Sequence, residues 1–341
     1  MDNSNFFCRR LSLNNNYFSR PLLVYKVSSE EALNYTKQAI TYLATIKRIT
    51  EIYLEKEYFE HFIDEKGIVK KEYGNLQRFD DKCPNVDLCI TIGGDGTVLW
   101  SNYLFKLNIK PPFLTFNMGT LGYLAYYKCT LFKEILDIII NNPKEELIME
   151  KRSTLVFRET TTDEVLKAHK DKKEQFKEFK PKQGALNDLV IGRDTLRAII
   201  LDIYLDYNYM TTIRSDGIII STSTGSTAYS LSSGGSIVHY DVDCLLMSAI
   251  CPHSLSFRPI VFPKDLKLQI VLNKTSPSTA HFSNDGIDKF QMDHDQGVEI
   301  GISDNYLNII VLEKYLASPL ILWKEKLVEQ LGWNTSFKNL G

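Results

Sequence analysis

Several things are scarce in this chain of 341 residues, and each absence closes off a class of protein. No run reaches the eighteen or so consecutive apolar residues that a membrane-spanning helix needs, and the N-terminus lacks the apolar core of a secretory signal. Neither sign of charge is in excess. Forty Lys and Arg stand against 42 Asp and Glu, so the broad basic footprint of proteins that track nucleic-acid phosphates is missing. Only six cysteines occur, Cys8, Cys83, Cys89, Cys129, Cys244 and Cys251, and none has the paired spacing of a metal site. Cys89 and Cys244 fall inside apolar runs, where a thiol packs as a small hydrophobe. The expectation is a chain with reduced, buried thiols and no protein-bound metal, resident in the cytoplasm, with neither a membrane nor a nucleic acid as partner.

What is present is a large apolar content, 44% of residues, enough for the cores of two domains. Residues 1–20, rich in Asn and Ser with Arg9, Arg10 and Arg20, read as a disordered leader; Asp2 and the Asn run count against a transit peptide. From 21 to 147 strands alternate with helices. Leu22–Val27 is β-prone, Ser28 with Glu31 is a capping-box signature, and Ala32, Tyr35, Ala39, Leu43 and Ile46 fall on one helical face. Val86–Ile92 and Phe113–Asn117 read as further strands, and Val98–Phe105 and Leu131–Asn141 as helices. That alternation predicts a Rossmann-like α/β domain with a parallel sheet, whose ligands gather at the carboxyl ends of the strands. From 148 to 308 the pattern turns to short β runs, Leu186–Ile191, Ala198–Leu205, Gly217–Thr222, Leu245–Ile250 and Leu268–Leu272 among them. This predicts a sandwich-like all-β domain, with a charged, solvated insertion at 159–182. In the last segment, 309–341, Ser318 and Pro319 open a helix that is expected to return to the first domain.

Two islands carry the chemistry. The first is Ile92-Gly93-Gly94-Asp95-Gly96-Thr97 at a strand end, where glycines admit backbone angles closed to other residues and let a phosphate approach the amides. Asp95 is out of place in a turn that only binds anions. It fits a turn in which a carboxylate accepts the proton of an attacking hydroxyl or organises the metal on the donor phosphates; the bland alternative is that it bonds its own turn. The second island, Ser221 to Tyr229, offers a dense row of hydroxyls and bare amides for a ligand. Together they read as a site that transfers a phosphoryl group to a nucleotide hydroxyl. His253 reads as a core histidine, His61 and His169 as solvated, and Tyr204, Tyr207 and Tyr209 as β-packing or subunit contacts.

Gly93 to Thr97 alone resembles lipid kinases and phosphofructokinases as well. Taken with Gly119-Thr120-Leu121-Gly122-Tyr123, Asn187-Asp188, Asp216-Gly217, Ser221 to Tyr229 and Cys251 to Pro259, the chain resembles the NAD kinase family over roughly residues 20–335, in its eukaryotic form. The resemblance implies ATP- and Mg²⁺-dependent phosphorylation of the 2′-hydroxyl of the adenosine ribose of NAD, with the metal arriving on the nucleotide phosphates. It implies Asp95 as catalytic base and Gly94, Gly96, Tyr123, Asn187, Asp188, Thr224, Thr227, Ala228 and Tyr229 at the dinucleotide. It also implies Arg214 and Asp216 at the nicotinamide ribose, reached from a neighbouring subunit of a homotetramer or homodimer. Gly93, Thr97, Arg258 and Asp285 are expected on the phosphate side, with Arg258 alternatively tying its loop to a carboxylate. Three positions depart from the family: Asp188 replaces the usual Glu, Ser223 a Pro, and Asn284 a Phe. The other readings are a lipid kinase of the diacylglycerol or sphingosine type sharing the glycine turn, and a non-catalytic NAD(P) sensor.

Overall fold

A computed structural model describes residues 10–13, 18–80, 85–119, 122–141, 147–171, 179–312 and 319–332. The chain forms two compact units: Met1–Leu104, Lys110–Lys151 and Asn308–Gly341 make the first, Phe105–Ile109 and Arg152–Leu307 the second.

The first unit is built on a sheet in which nine strands are described. Their order is Arg10–Leu13, Leu147–Arg152, Leu307–Val311, Phe113–Asn117, Leu88–Gly93, Pro21–Tyr25, Ile52–Glu55 and Leu76–Phe79, with Tyr127–Lys128 also beside Phe113–Asn117. The central pairs are parallel. Pro21–Tyr25 and Leu88–Gly93 are buried at every position, the signature of strands covered on both faces. The helix Glu30–Ala44 packs Ala32, Thr36, Ala39, Ile40 and Leu43 inward. Its cap is Ser29, one residue beyond the expected Ser28: Ser29 is extended and its Oγ accepts from the Ala32 N–H. Leu131–Asn141 was expected as one helix; it is a 3₁₀ turn ending at Leu131, an α-helix Phe132–Leu136 and a π turn Asp137–Asn141. The expected leader is partly ordered, since Arg10–Leu13 pairs with Leu147–Arg152, Phe18 is buried, and Ser19 and Arg20 donate to the Asp87 carboxylate. The rest of it, 1–9 and 14–17, lies outside the described residues. The terminal helix Pro319–Leu331 belongs to this unit, with the Lys326 ammonium 4.0 Å from the centre of the Tyr126 ring.

The second unit is a pair of six-stranded antiparallel sheets. One runs Gln183–Ala185, Leu155–Thr161, Gln296–Ile302, Leu268–Leu272, Ile199–Leu205, Asn208–Ser215; the other Ile260–Pro263, Cys244–Ile250, Gly217–Ser221, Asp188–Arg193, Ala280–Asn284, Asp288–Met292. Alternate residues from both, including Leu201, Ile203, Ile270, Leu189, Ile218, Ile220 and Phe282, fill one core. The stretch expected as a solvated insertion holds structure: Thr161 caps a helix Thr162–Lys170, whose Val165 and Ala168 pack on Tyr204, Tyr207 and Val271. Residues 172–178 lie outside the described residues. Tyr204 and Tyr207 are packing residues, whereas Tyr209 is exposed. Cys89, Cys129 and Cys244 are buried as expected, Cys251 is exposed, and Cys8 and Cys83 are outside the described residues.

Candidate functional site

The register of the parallel sheet sets Gly93 opposite Asn117, so both glycine turns leave the same edge at the carboxyl ends of neighbouring strands. The Met118 N–H donates to the Gly93 carbonyl at 3.0 Å and ties them. Asp95 is the first residue of the helix Asp95–Leu104, and its carboxylate reaches across to the second turn. Oδ2 accepts from the Tyr123 N–H at 2.8 Å, and Oδ1 from the Leu124 and Ala125 N–H groups at 2.9 and 3.0 Å. The bland expectation, that Asp95 bonds its own turn, is therefore set aside: its three partners lie 28 to 30 residues away. With three of a carboxylate's roughly four acceptor sites filled, about one remains for an incoming hydroxyl.

The glycines act by what they leave out and not by rare backbone angles. None of Gly93, Gly94 and Gly96 has a positive φ, which corrects the conformational reading of this turn. A Cβ on Gly93 would stand 3.0 Å from Thr97 Cβ and 3.1 Å from Lys26 Cβ. A Cβ on Gly94 or Gly96 would meet nothing within 4 Å, so that backbone faces open space at a helix start. Tyr123 lies beside Asp95; burial raises its phenol pKa, and the Asp95 charge adds to the shift. Gly119 donates to Asn117 Oδ1; Thr120 and Leu121 are outside the described residues.

In the second unit Asn187, Asp188 and the end of Gly217–Ser221 come together, since Asp188 pairs with Ser221 in register. The Asn187 carbonyl accepts from Thr222, and a Cβ on Gly225 would stand 2.8 Å from the Asn187 Cα, so only glycine lets the two loops close. Most of the hydroxyl row proves internal. Thr222 donates to Leu186, Ser223 to Tyr240, Ser226 to Ser223 and Val238, and Thr227 to Thr224. The buried hydroxyls of Thr224 and Ser221 keep no partner among the described residues, and the Tyr229 ring is 47% exposed. Thr224, Thr227, Ala228 and Tyr229 thus share one loop beside Asn187 and Asp188.

Asp285 was expected on the phosphate side and is committed elsewhere. Its carboxylate accepts from the Leu186, Asn187 and Asp188 N–H groups at 2.6, 2.8 and 3.1 Å, and its own N–H donates to the Asp188 carbonyl. It sits in the left-handed region at φ 47°, followed by Gly286 at φ 68°, which turns the carboxylate back onto that loop. Burial pushes the Asp188 carboxyl up to about 7, with the Asp285 charge adding to the shift. Burial also raises Asp285, against three amide donors that hold it down. Those donors favour the anion on Asp285, whereas on Asp188 burial and the Asp285 charge both favour the neutral acid.

Arg214 and Asp216 are not part of this cluster. They precede the Gly217–Ser221 strand at its other end, Arg214 seven residues from Ser221 and Asp216 five, the latter about 16 Å of extended chain. There Asp216 pairs with Arg193 at 3.0 Å, and the Arg214 carbonyl accepts from the His253 N–H. His253 is exposed, which corrects its reading as a core histidine. Arg258 donates to the Leu255 and Phe257 carbonyls, tying the loop to itself and not to a carboxylate. His61 and His169 are exposed, as expected.

Sequence reasoning missed a cleft lined by Tyr25, Lys26, Tyr58, Gly94, Gly96 and Trp100, because its residues close distinct elements and form no string. Among the described residues no group of three or more His, Cys, Asp or Glu is placed to hold a metal ion.

Comparison with known proteins shows the family of the chain. Residues 21–145 match the family described as the ATP-NAD kinase N-terminal domain, and residues 186–312 the ATP-NAD kinase C-terminal domain. The chain is 33% identical over 285 residues to NADH kinase pos5, mitochondrial, of Schizosaccharomyces pombe, covering 82% of this chain and 68% of that one. It is 36% identical over 224 residues to Probable NAD kinase 1 of Oryza sativa subsp. japonica; that match takes in 64% of this chain and 40% of the rice protein, so the chain spans well under half of that relative. The crystal structure of yeast NADH kinase complexed with NADH shares the fold at a TM-score of 0.77 and 24% identity, over 94% of this chain and 89% of that one. A glycine turn presenting one acid, an Asn-Asp pair beside a hydroxyl loop, and both halves matched in order lead to one assignment: the chain belongs to the NAD kinase family.

Proposed function

We propose that the protein transfers the terminal phosphoryl group of ATP, bound with Mg²⁺, to the 2′-hydroxyl of the adenosine ribose of NAD, giving NADP. The observation that carries this reading is the Asp95 carboxylate, fixed by three consecutive amides at the mouth of a turn whose own backbone is open. In this reading Asp95 takes the hydroxyl proton as that oxygen attacks the phosphorus, and the leaving ADP departs with its charge on the metal-bound phosphates. The amides at Gly94 and Gly96, with Thr97 behind them, receive the transferring phosphate. Asn187, Asp188, Thr224, Thr227, Ala228 and Tyr229 hold the adenosine part, and Tyr123 flanks Asp95.

Arg214 and Asp216, a strand length from that cluster, serve the nicotinamide ribose of a dinucleotide held by a neighbouring copy in a homodimer or homotetramer. The cytoplasm is the proposed location. Incubation with NAD, ATP and Mg²⁺ should yield NADP, and Asp95→Asn should bind NAD but turn over slowly. Normal turnover by that variant would remove Asp95 from the role of base, and no NADP from the unaltered protein would end the reading.

A further inference from the structure

Every backbone polar group of the tripeptide Leu186-Asn187-Asp188 is engaged, and its partners come from two sides. On one side the Asp285 carboxylate accepts all three N–H groups, at 2.6, 2.8 and 3.1 Å, and the Asp285 N–H donates to the Asp188 carbonyl at 2.9 Å. On the other, Thr222 Oγ1 donates to the Leu186 carbonyl at 2.7 Å, and the Thr222 N–H to the Asn187 carbonyl at 2.9 Å. The same Oγ1 accepts from the Gly225 N–H at 3.0 Å, so one side chain draws the hydroxyl loop onto the tripeptide. Asp285 can grip three successive amides because it stands at φ 47°, with Gly286 at φ 68°, in the turn that joins Ala280–Asn284 to Asp288–Met292. That hairpin is anchored by Phe282 and Met292 in the core. The side chains of Asn187 and Asp188 are the remainder: Asp188 is buried, yet neither side chain has a hydrogen bond among the described residues. A backbone tied at every polar group, carrying two polar side chains that are left over, is a rigid mount whose free groups await a partner.

We propose that Asp285 and Thr222 are positioning residues for the acceptor: from either side of the tripeptide they hold Asn187 and Asp188 in their binding geometry before the dinucleotide arrives, and touch no part of it themselves. The inference rests on the kinase reading above, in which Asn187 and Asp188 hold the adenosine part, and extends it to what sets affinity for the acceptor. A loop ordered in advance has no freedom left to lose on binding. Removing either support therefore weakens acceptor binding and leaves the transfer step, which is set at Asp95, alone.

Steady-state kinetics and calorimetry of the full chain, with NAD and Mg·ATP as probes, test this. Asp285→Asn sets an amide NH₂ against at least one of the three N–H donors and should raise KM for NAD about 10-fold, with kcat and KM for ATP nearly unmoved. Thr222→Val should raise KM for NAD about 5-fold, and Thr222→Ser, which keeps the hydroxyl, should restore it. In a chain already carrying Asn187→Ala and Asp188→Ala, adding Asp285→Asn should change KM for NAD no further, because the side chains it aims are gone. A merely structural Asp285 would lower the unfolding midpoint without parting KM from kcat and without that dependence. If Asp285→Asn does not fold, the two Thr222 variants decide. NADP formation with an unchanged KM for NAD in either folded variant, or an effect of Asp285→Asn that persists in full without the Asn187 and Asp188 side chains, overturns the positioning role and leaves the kinase reading standing. Calorimetric NAD binding that Asp285→Asn weakens, in a protein that forms no NADP even unaltered, overturns the kinase reading and leaves the positioning role.

Discussion

Gly122 lies so close to Asp95 that a Cβ added to it would overlap Oδ1 and stand 2.7 Å from the carboxylate carbon. The tightness follows from the next three residues donating their N–H groups to that same carboxylate. Gly122→Ala should therefore push the acid out of its seat and cut NADP formation by about 100-fold, the scale of a misplaced reacting group. Circular dichroism should show an intact fold. Near-normal turnover in Gly122→Ala would mean that the seat is not needed.

Asp95→Asn carries a second consequence beyond the lost base. The new amide NH₂ must face either the Tyr123 N–H or the Leu124 and Ala125 N–H groups, donor against donor. The variant should lose about 1–3 kcal/mol of unfolding free energy as well as turnover. A denaturant titration with no change in midpoint would contradict the clamp.

Little of this clamp was legible in the sequence, since backbone N–H donors carry no residue signature and only Gly122 marks their approach. The parallel core strands were legible because Leu22–Val24 is an unbroken apolar run and Leu88–Ile92 is apolar at every position but Thr91. Leu307–Val311 was not, because its place beside Phe113–Asn117 is fixed by topology and not by local pattern. In the charged stretch, Thr161 capping three residues ahead of Glu164 was a readable helix start. With only Val165 and Ala168 buried, that helix left too weak an apolar stripe to be heard above the charges.

The hydroxyl loop can be divided by experiment into ligand and scaffold. Thr224 has a buried hydroxyl with no partner among the described residues, so Thr224→Val should raise KM for NAD about 5-fold, the equivalent of roughly 1 kcal/mol for one hydrogen bond, at little cost to stability. Ser226 donates to Ser223 and Val238 and accepts from the Val238 N–H, all away from solvent. Ser226→Ala should instead cost about 1–3 kcal/mol of stability with KM unchanged once folded. The reverse pattern, a KM effect at Ser226 and none at Thr224, would exchange their roles.

Asp188 makes stability depend on pH in a direction unusual for a carboxyl group. Its folded pKa is raised, to about 7, so between the ordinary carboxylate value and about 7 the folded chain holds a proton that the unfolded chain has lost. Stability from this group is full below the unfolded pKa and declines as pH rises through the folded one. Between pH 5 and pH 8 the chain should lose on the order of 2 kcal/mol relative to Asp188→Asn, in which the neutral group is permanent. Asp285, clamped by three amides, remains in both proteins, so the comparison reads Asp188 together with its coupling to the Asp285 charge. Parallel pH profiles for the two would show that Asp188 is already ionised in the fold.

The separation of Arg214 from Asn187 and Asp188 makes assembly testable through activity. Within one chain Asn187 and Asp188 lie by the Ser221 end of the Gly217–Ser221 strand, whereas Arg214, in the preceding strand Asn208–Ser215, lies beyond its other end, too far to grip one ribose with them. If Arg214 serves a neighbouring copy, Asp95→Asn and Arg214→Ala should each be nearly inactive alone and should complement when mixed. A site that takes Asp95 from one copy and Arg214 from the other is intact, and random pairing in dimers makes about a quarter of all sites so. NADP formation should therefore recover to about a quarter of the unaltered rate once subunits have exchanged. Mixed assemblies, isolated through two different affinity tags, that remain inactive would place Arg214 in the same chain's site or outside the reaction altogether.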